Sequence, residues 1–171
     1  MVPGTPSGCC ELAAPTSGCC ELVKVRRAEL RDIHAIRSID RDAYLTPWSE
    51  KLTIQQVTKP GRLHLVAESD VEGSRGVIVG HAGLLFLHDE AHISTIATCH
   101  KWLRRGVGAA LIHALLDAAR HQSAAICSLE VRSSNVAAIK LYEAAGFTEV
   151  GLRPKYYGDN NEDAVIMTIR L

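Results

Sequence analysis

Apolar residues recur along the chain with two different periods, and each change of period marks a boundary between elements. Residues 22–26 form a brief strand-like run. Across residues 30–43, Ile33, Ile36, Ile39 and Ala43 return every three or four positions, which predicts an amphipathic helix. Tyr44-Leu45-Thr46-Pro47-Trp48 interrupts it, because Pro47 pushes Thr46 out of the helical region. Ser49 is placed to cap a second short helix with Glu50 in its first turn, and Lys59-Pro60-Gly61 stops that helix after Val57.

From there the period shortens. Residues 63–68 and 77–87 are apolar or alternating and predict two strands on either side of the turn-rich segment 70–76. His88-Asp89-Glu90 reads as a hairpin end, with a further strand over residues 91–98. After a glycine-containing loop, Leu111, Ile112, Leu115, Leu116 and Ala119 lay one apolar face along a helix of about three turns, with His113, Asp117 and Arg120 on its outer side. Residues 125–131 have the composition of a buried strand. Asn135 can cap the next helix, in which Ala138, Leu141, Tyr142 and Ala145 share a face, and Gly146 stands where a left-handed residue ends a helix. Residues 148–153 and 164–171 predict two closing strands, with a loop over 154–161 between them. Helices and hairpins alternate, so the sheet is expected to be mixed.

The glycine-containing loop is Leu103-Arg104-Arg105-Gly106-Val107-Gly108-Ala109-Ala110. Glycines one residue apart let a backbone turn tightly and approach a ligand, and the amides of the following helix can face an anion. Three readings fit. The loop can be a plain turn with two solvated arginines. It can be a dinucleotide fingerprint, but that motif wants a third glycine where Leu111 stands; it also wants an acid about 20 residues on, near the place of Glu130. Or it can hold the pyrophosphate of coenzyme A.

Composition removes some classes. The 171 residues carry 19 basic and 19 acidic side chains, so no net basic field draws nucleic acid. No apolar run approaches the roughly 20 residues of a membrane span, and the N-terminus lacks a signal-peptide core; a cytoplasmic protein with no membrane partner is expected. Of six cysteines, Cys99 and Cys127 lie singly in apolar runs, where a free thiol behaves as a small hydrophobe. The other four sit in a direct repeat, Ser7-Gly8-Cys9-Cys10-Glu11-Leu12 and Ser17-Gly18-Cys19-Cys20-Glu21-Leu22. Adjacent cysteines do not match zinc spacing, so no metal is expected, a thiol-rich clip being the alternative. Residues 1–21 are read as a disordered tail and residues 22–171 as one domain.

Four stretches together resemble a known family. They are Thr46-Pro47-Trp48-Ser49; residues 96–108; Leu129-Glu130-Val131-Arg132-Ser133-Ser134-Asn135 running into Leu141-Tyr142-Glu143-Ala144-Ala145-Gly146-Phe147; and Arg153-Pro154-Lys155-Tyr156-Tyr157 followed by Glu162-Asp163-Ala164. The chain from Val23 onward is similar to the GCN5-related N-acetyltransferases, and within them to the branch that acetylates the N-terminal alanine of a ribosomal protein. The resemblance implies an α/β (α+β) fold with a mixed, mostly antiparallel sheet of about six to seven strands, splayed in the middle, and about four helices on its faces. It implies transfer of acetyl from acetyl-CoA, by direct attack in a ternary complex, to the N-terminus of a small-subunit ribosomal protein by a monomer.

The same resemblance assigns residues. The donor's pantetheine arm is expected along Ile96, Ala97 and Thr98, and its pyrophosphate at Arg104, Arg105, Gly106, Val107, Gly108 and Ala109, with Asn135 and Tyr142 also in contact. Glu130, which interrupts an otherwise apolar strand, is the candidate base; its other reading is a carboxylate paired with Arg132 or a nearby arginine. Tyr142 is the candidate acid, since a phenol with a pKa of about 10 keeps its proton for a departing thiolate, and its other reading is a core aromatic. Tyr44, Trp48, Tyr156 and Tyr157, read as loop residues, form with Glu130 an acceptor groove, or else pin those loops to the core. An α-amine titrates about 2.6 pH units below lysine, which makes neutral lysine roughly 3.5 kcal/mol harder to present to one carboxylate. Two positions depart from the family pattern: Leu103 replaces Gln or Arg, and Cys99-His100 replaces an acid-proline pair. A lysine or small-amine acetyltransferase, and a catalytically weak coenzyme A-binding interaction module, are the alternatives.

Overall fold

Seven strands and four helices follow one another through residues 22–171, the part of the chain that the computed structural model describes. The expected tail with its cysteine repeat lies outside the described residues. In chain order the elements are β1 (Val23–Arg27), α1 (Ile33–Ala43), α2 (Glu50–Thr58), β2 (Arg62–Ser69), β3 (Ile78–Leu87), β4 (Glu90–Thr98), α3 (Val107–His121), β5 (Ile126–Arg132), α4 (Val136–Ala144), β6 (Thr148–Tyr157) and β7 (Glu162–Arg170). The strands make one sheet in the order β1-β2-β3-β4-β5-β7-β6. Every neighbouring pair is antiparallel except β4 with β5, which run parallel.

The sheet is filled on both faces because its strands alternate toward two different cores. Leu65 and Ala67 of β2 face the larger core, where α3 lays Val107, Leu111, Ile112, Leu115 and Leu116 against Val79, Leu84, Leu129 and Met167. Val66, between them in sequence, faces the smaller core with Ile33, Ile36 and Val57. Each fully buried leucine of α3 contributes about 1.5–3 kcal/mol. Packing of that stripe, more than helix propensity, therefore fixes where the first turn of α3 sits. Its partners on β3 leave little slack. A Cβ at Gly80 would fall 2.7 Å from Val107 Cγ1 and 3.1 Å from the Ala97 carbonyl.

The smaller core contains a polar string. Asp40, His64 and His81 are all buried. His81 Nε2 lies 3.0 Å from Asp40 Oδ1, and His81 Nδ1 lies 3.2 Å from His64 Nε2. Ser94 Oγ and His64 Nδ1 both crowd the Cα side of Gly83, where a Cβ would meet them at 2.8 and 3.1 Å. When His81 turns Nε2–H toward Asp40, its Nδ1 accepts from His64 Nε2–H, and Ser94 Oγ and His64 Nδ1 are left buried without a hydrogen-bond partner among the described residues. Ser94 is the extra residue where the β3–β4 register shifts.

Most boundaries agree with the sequence pattern, including the Ser49 cap (Leu52 N–H to Ser49 Oγ, 3.3 Å) and left-handed Gly146 at φ +97°. Three segments differ. Residues 30–32 form a 3-10 turn ahead of α1, and residues 100–102 form another ahead of α3. Residues 154–157, read as loop, belong to β6. Pro154 misled that reading, because a missing N–H is harmless on an edge strand. There the register with β7 slips between Arg153 and Tyr157, Lys155 turns left-handed at φ +52°, and its N–H goes to Asp163 Oδ1 at 2.8 Å.

Candidate active site

The parallel pair breaks almost as soon as it forms. Glu90, Ala91 and His92 pair with Ile126, Cys127 and Ser128, and nothing pairs beyond them. β3 holds β4 as far as Thr98, while β7 holds β5 as far as Arg132. The two strands are thus pulled apart by their outer neighbours, and a wedge opens between residues 93–98 and 129–132. This is the splay expected in the middle of the sheet. Ile96, Ala97 and Thr98 lie on one of its walls.

Glu130 stands two residues beyond the last pair, on the other wall, with 14% of its side chain exposed. Its oxygens are divided between two partners: Arg153 Nη1 donates to Oε1 at 3.1 Å, and His92 Nε2 lies 3.2 Å from Oε2. Arg132 is not among them. His92 Nδ1 in turn lies 3.1 Å from Ser128 Oγ. An ionised carboxylate can only accept, so the His92 nitrogen facing it, Nε2, is the one that carries a proton toward Glu130. His92 was not singled out in the sequence. A polar residue at alternate register with Glu130 on a neighbouring strand was the available signal, and it becomes visible only once β4 is known to adjoin β5.

Arg132 instead closes the far side of the site. It reaches Asp159 at 2.6 Å and Glu162 and Asn160 at 3.1 Å, and its guanidinium lies 3.9 Å from the Tyr157 ring centre. The Ser134 amide donates to Glu162 Oε1 at 2.9 Å, and the Ser134 hydroxyl first and this amide second hold the Glu162 carboxyl down to about 2. These contacts bolt the β6–β7 turn to the end of β5. Tyr156 and Tyr157 are therefore held on a strand, not on a free loop as the sequence suggested. Their rings meet edge to face at 5.2 Å, and Arg153 lies 5.2 Å from the Tyr156 ring centre.

Tyr142 is buried on α4, edge to face with Phe147 at 5.9 Å. Burial raises its phenol well above the ordinary value, and the neighbouring Tyr44 and Tyr157 raise it further. Burial likewise pushes Tyr157 up to about 12. Three tyrosines from three elements thus converge, all protonated at neutral pH. Tyr44, at the end of α1, reaches β4, where its hydroxyl donates to the Ile96 carbonyl at 2.7 Å. Trp48 is half-buried in the same connection.

At the mouth of the wedge α3 begins. Gly106 is its N-cap at φ +82°, a conformation open to glycine, and it makes no side-chain cap bond. The first bond of the helical ladder runs from Ala110 N–H to the Gly106 carbonyl at 3.0 Å, so the amides of Val107, Gly108 and Ala109 enter none. Arg104 is left-handed at φ +62°, and Arg105 stacks 5.1 Å from the Trp102 ring centre. Such a turn suits a diphosphate by its uncommitted amides, its dipole and two flanking cations. Asn135 caps α4 through Oδ1, which accepts from the Ala138 amide at 3.1 Å. Among the described residues no group of three or more His, Cys, Asp and Glu side chains could hold a metal, and no helix is long and apolar enough to cross a membrane.

The sequence and the fold are similar to those of known proteins. The Acetyltransferase (GNAT) family profile matches residues 33–147. A ribosomal protein bS18-alanine N-acetyltransferase of Escherichia coli is 36% identical over 143 residues, 82% of this chain and 93% of that protein. A protein of Mycobacterium tuberculosis named N-alpha-acetyltransferase RimI is 34% identical over 125 residues, 71% of this chain and 74% of its own. The crystal structure of the ribosomal-protein-S18-alanine N-acetyltransferase from Escherichia coli superposes with a TM-score of 0.76 at 33% identity, covering 87% of this chain and 94% of that one.

Proposed function

The chain belongs to the acetyltransferase (GNAT) family and is an acetyl-CoA-dependent N-acetyltransferase, and from that premise we propose that its acceptor is the N-terminal alanine of a small-subunit ribosomal protein. The proposal is supported above all by one observation: the parting of β4 from β5 leaves two open strand edges, with Glu130 on one of them. The choice of acceptor draws on the relatives named for that activity and on the smaller cost of neutralising an α-amine. The protein would act in the cytoplasm, as a monomer, with residues 22–171 forming the catalytic domain.

In this proposal the donor lies along Ile96, Ala97 and Thr98, and its diphosphate meets the amides of Gly106 to Ala109 beside Arg104 and Arg105. Acetyl-CoA, when bound, supplies the acyl group as an activated thioester. Glu130 takes the proton that the amine sheds, directly or through a water. His92 and Arg153 hold one carboxylate oxygen each, so the lone pairs that remain face a fixed direction. Tyr142 keeps its proton at neutral pH and gives it to the departing sulfur. Tyr44, Trp48, Tyr156 and Tyr157 form the walls against which the acceptor lies. Holding the two reactants at contact distance supplies up to about 7–11 kcal/mol in well-oriented systems.

Mass spectrometry of the purified ribosomal protein after incubation with enzyme and acetyl-CoA tests the proposal, with peptides of free and blocked N-terminus run alongside. One added acetyl group on the terminal alanine is expected. Modification of blocked peptides at lysine would replace the acceptor with a side-chain amine, and no acetylated product on any amine would remove the proposal.

A further inference from the structure

The hydroxyl of Tyr44 uses all of its hydrogen-bonding capacity on the open edge of β4. It donates to the Ile96 carbonyl at 2.7 Å and accepts from the Ile96 amide at 3.3 Å. Thr95 Oγ1, at 3.0 Å, fills the remaining acceptor position. The Ile96 amide and carbonyl therefore point into the wedge, and one phenolic oxygen occupies both. An extended amide-bearing arm laid along this edge would need the same pair. The carbonyl has a second lone pair, but the amide has a single hydrogen, so phenol and arm cannot both hold it.

The two ends of Tyr44 have different surroundings. Its hydroxyl is sunk against β4, and burial raises its pKa. Yet 37% of the residue is exposed, and it lies on the connection between α1 and α2, outside either core cluster. The ring belongs to neither core, so its release leaves the packing of both clusters in place. Three hydrogen bonds anchor it to β4, and their net worth is small because water replaces them on release.

We propose that Tyr44 is a latch on the donor's binding edge: its phenol closes Ile96 in the free enzyme and must be displaced before the pantetheine arm can pair there. The inference rests on the reading of residues 96–98 as the arm's wall. Removing the phenolic oxygen frees the edge and keeps the ring, so Tyr44→Phe is expected to bind coenzyme A about two- to tenfold more tightly, the range set by one net hydrogen bond. Thr95→Val leaves the phenol in place and removes one of its anchors, and a smaller tightening in the same direction is expected.

Titration calorimetry of wild type and both variants with coenzyme A, and with adenosine 3′,5′-bisphosphate as a probe lacking the arm, makes the test. Tightening for coenzyme A with unchanged affinity for the bisphosphate supports the latch. Unchanged or weaker coenzyme A binding by Tyr44→Phe overturns it, and so does equal tightening for both ligands, since the effect would then lie outside the wedge. Absence of coenzyme A binding by all three proteins would overturn the donor site itself, an outcome distinct from failure of the latch alone.

Discussion

Lowering the pH from 7 to 5 offers a proton to every histidine that unfolding exposes, and the fold withholds it from His64. Burial first, and the neighbouring His81 second, hold the His64 imidazole down to about 3, against an ordinary value near 6.5. The sign follows from proton counting. Below pH 6.5 the unfolded chain binds a proton at this position that the folded chain does not, so stability falls as pH falls. Integrated between pH 7 and 5, the difference is about 2 kcal/mol, or roughly 4–8 °C in Tm for a domain of this size. The depressed carboxylates Asp32 and Glu162 act in the same direction, but their contributions fade only as pH falls through and below about 4, outside this window. Urea unfolding at pH 5, 6 and 7 measures the effect. His64→Asn keeps a donor toward His81 and cannot titrate, so its stability should fall by about 2 kcal/mol less over this range than that of wild type. If both proteins lost the same amount, the imidazole would be taking up its proton inside the fold. The string from His64 to Asp40 would then have reversed to store it.

Other expectations concern the site and its frame. Glu130→Gln should lower kcat by about 10²–10⁴-fold while calorimetric affinity for coenzyme A stays near that of wild type, and Tyr142→Phe should follow the same pattern; retained turnover in both would show that other groups move the protons. Gly80→Ala places a Cβ against Val107 Cγ1 and the Ala97 carbonyl, neither a flexible chain end, so chemical denaturation should report a loss of about 1–3 kcal/mol. Gly108→Ala meets only Leu141 Cδ2, at 2.9 Å, and should cost less than Gly80→Ala.

The elements were legible because each is held by a local signal. The Ile33-Ile36-Ile39 spacing, the Ser49 and Asn135 caps and left-handed Gly146 each act within a turn or two. Glu130 at the opening was legible as well, since a lone carboxylate in an apolar strand must reach an edge or a partner. What escaped was nonlocal. That Arg132 turns to Asp159 and Glu162, leaving Glu130 to Arg153 and His92, depends on where the β6–β7 turn docks and on β4 adjoining β5. The string of Asp40, His81 and His64 is spread over three elements and has no periodic signature. Pro154 was misread because its effect depends on whether its strand has one neighbour or two.

The location of the wedge follows from connectivity. Antiparallel neighbours can be joined by a short turn, but the parallel pair β4–β5 needs a crossover, and α3 is that crossover. Both strands consequently finish at the same end, and each feeds the N-terminus of a helix there, α3 at Gly106 and α4 at Asn135. Two helix ends of positive potential therefore converge where β4 and β5 part. They are not equivalent. Asn135 turns its own side chain onto the Ala138 amide and so spends part of its donor capacity on itself, whereas Gly106 has no side chain to do so. The amides opening α3 are left for an outside acceptor, and they adjoin the strand whose open edge Tyr44 covers. A ligand with a diphosphate at one end and an amide-bearing arm at the other fits that pair of features in one direction only, with the arm running from the mouth of the wedge toward Glu130.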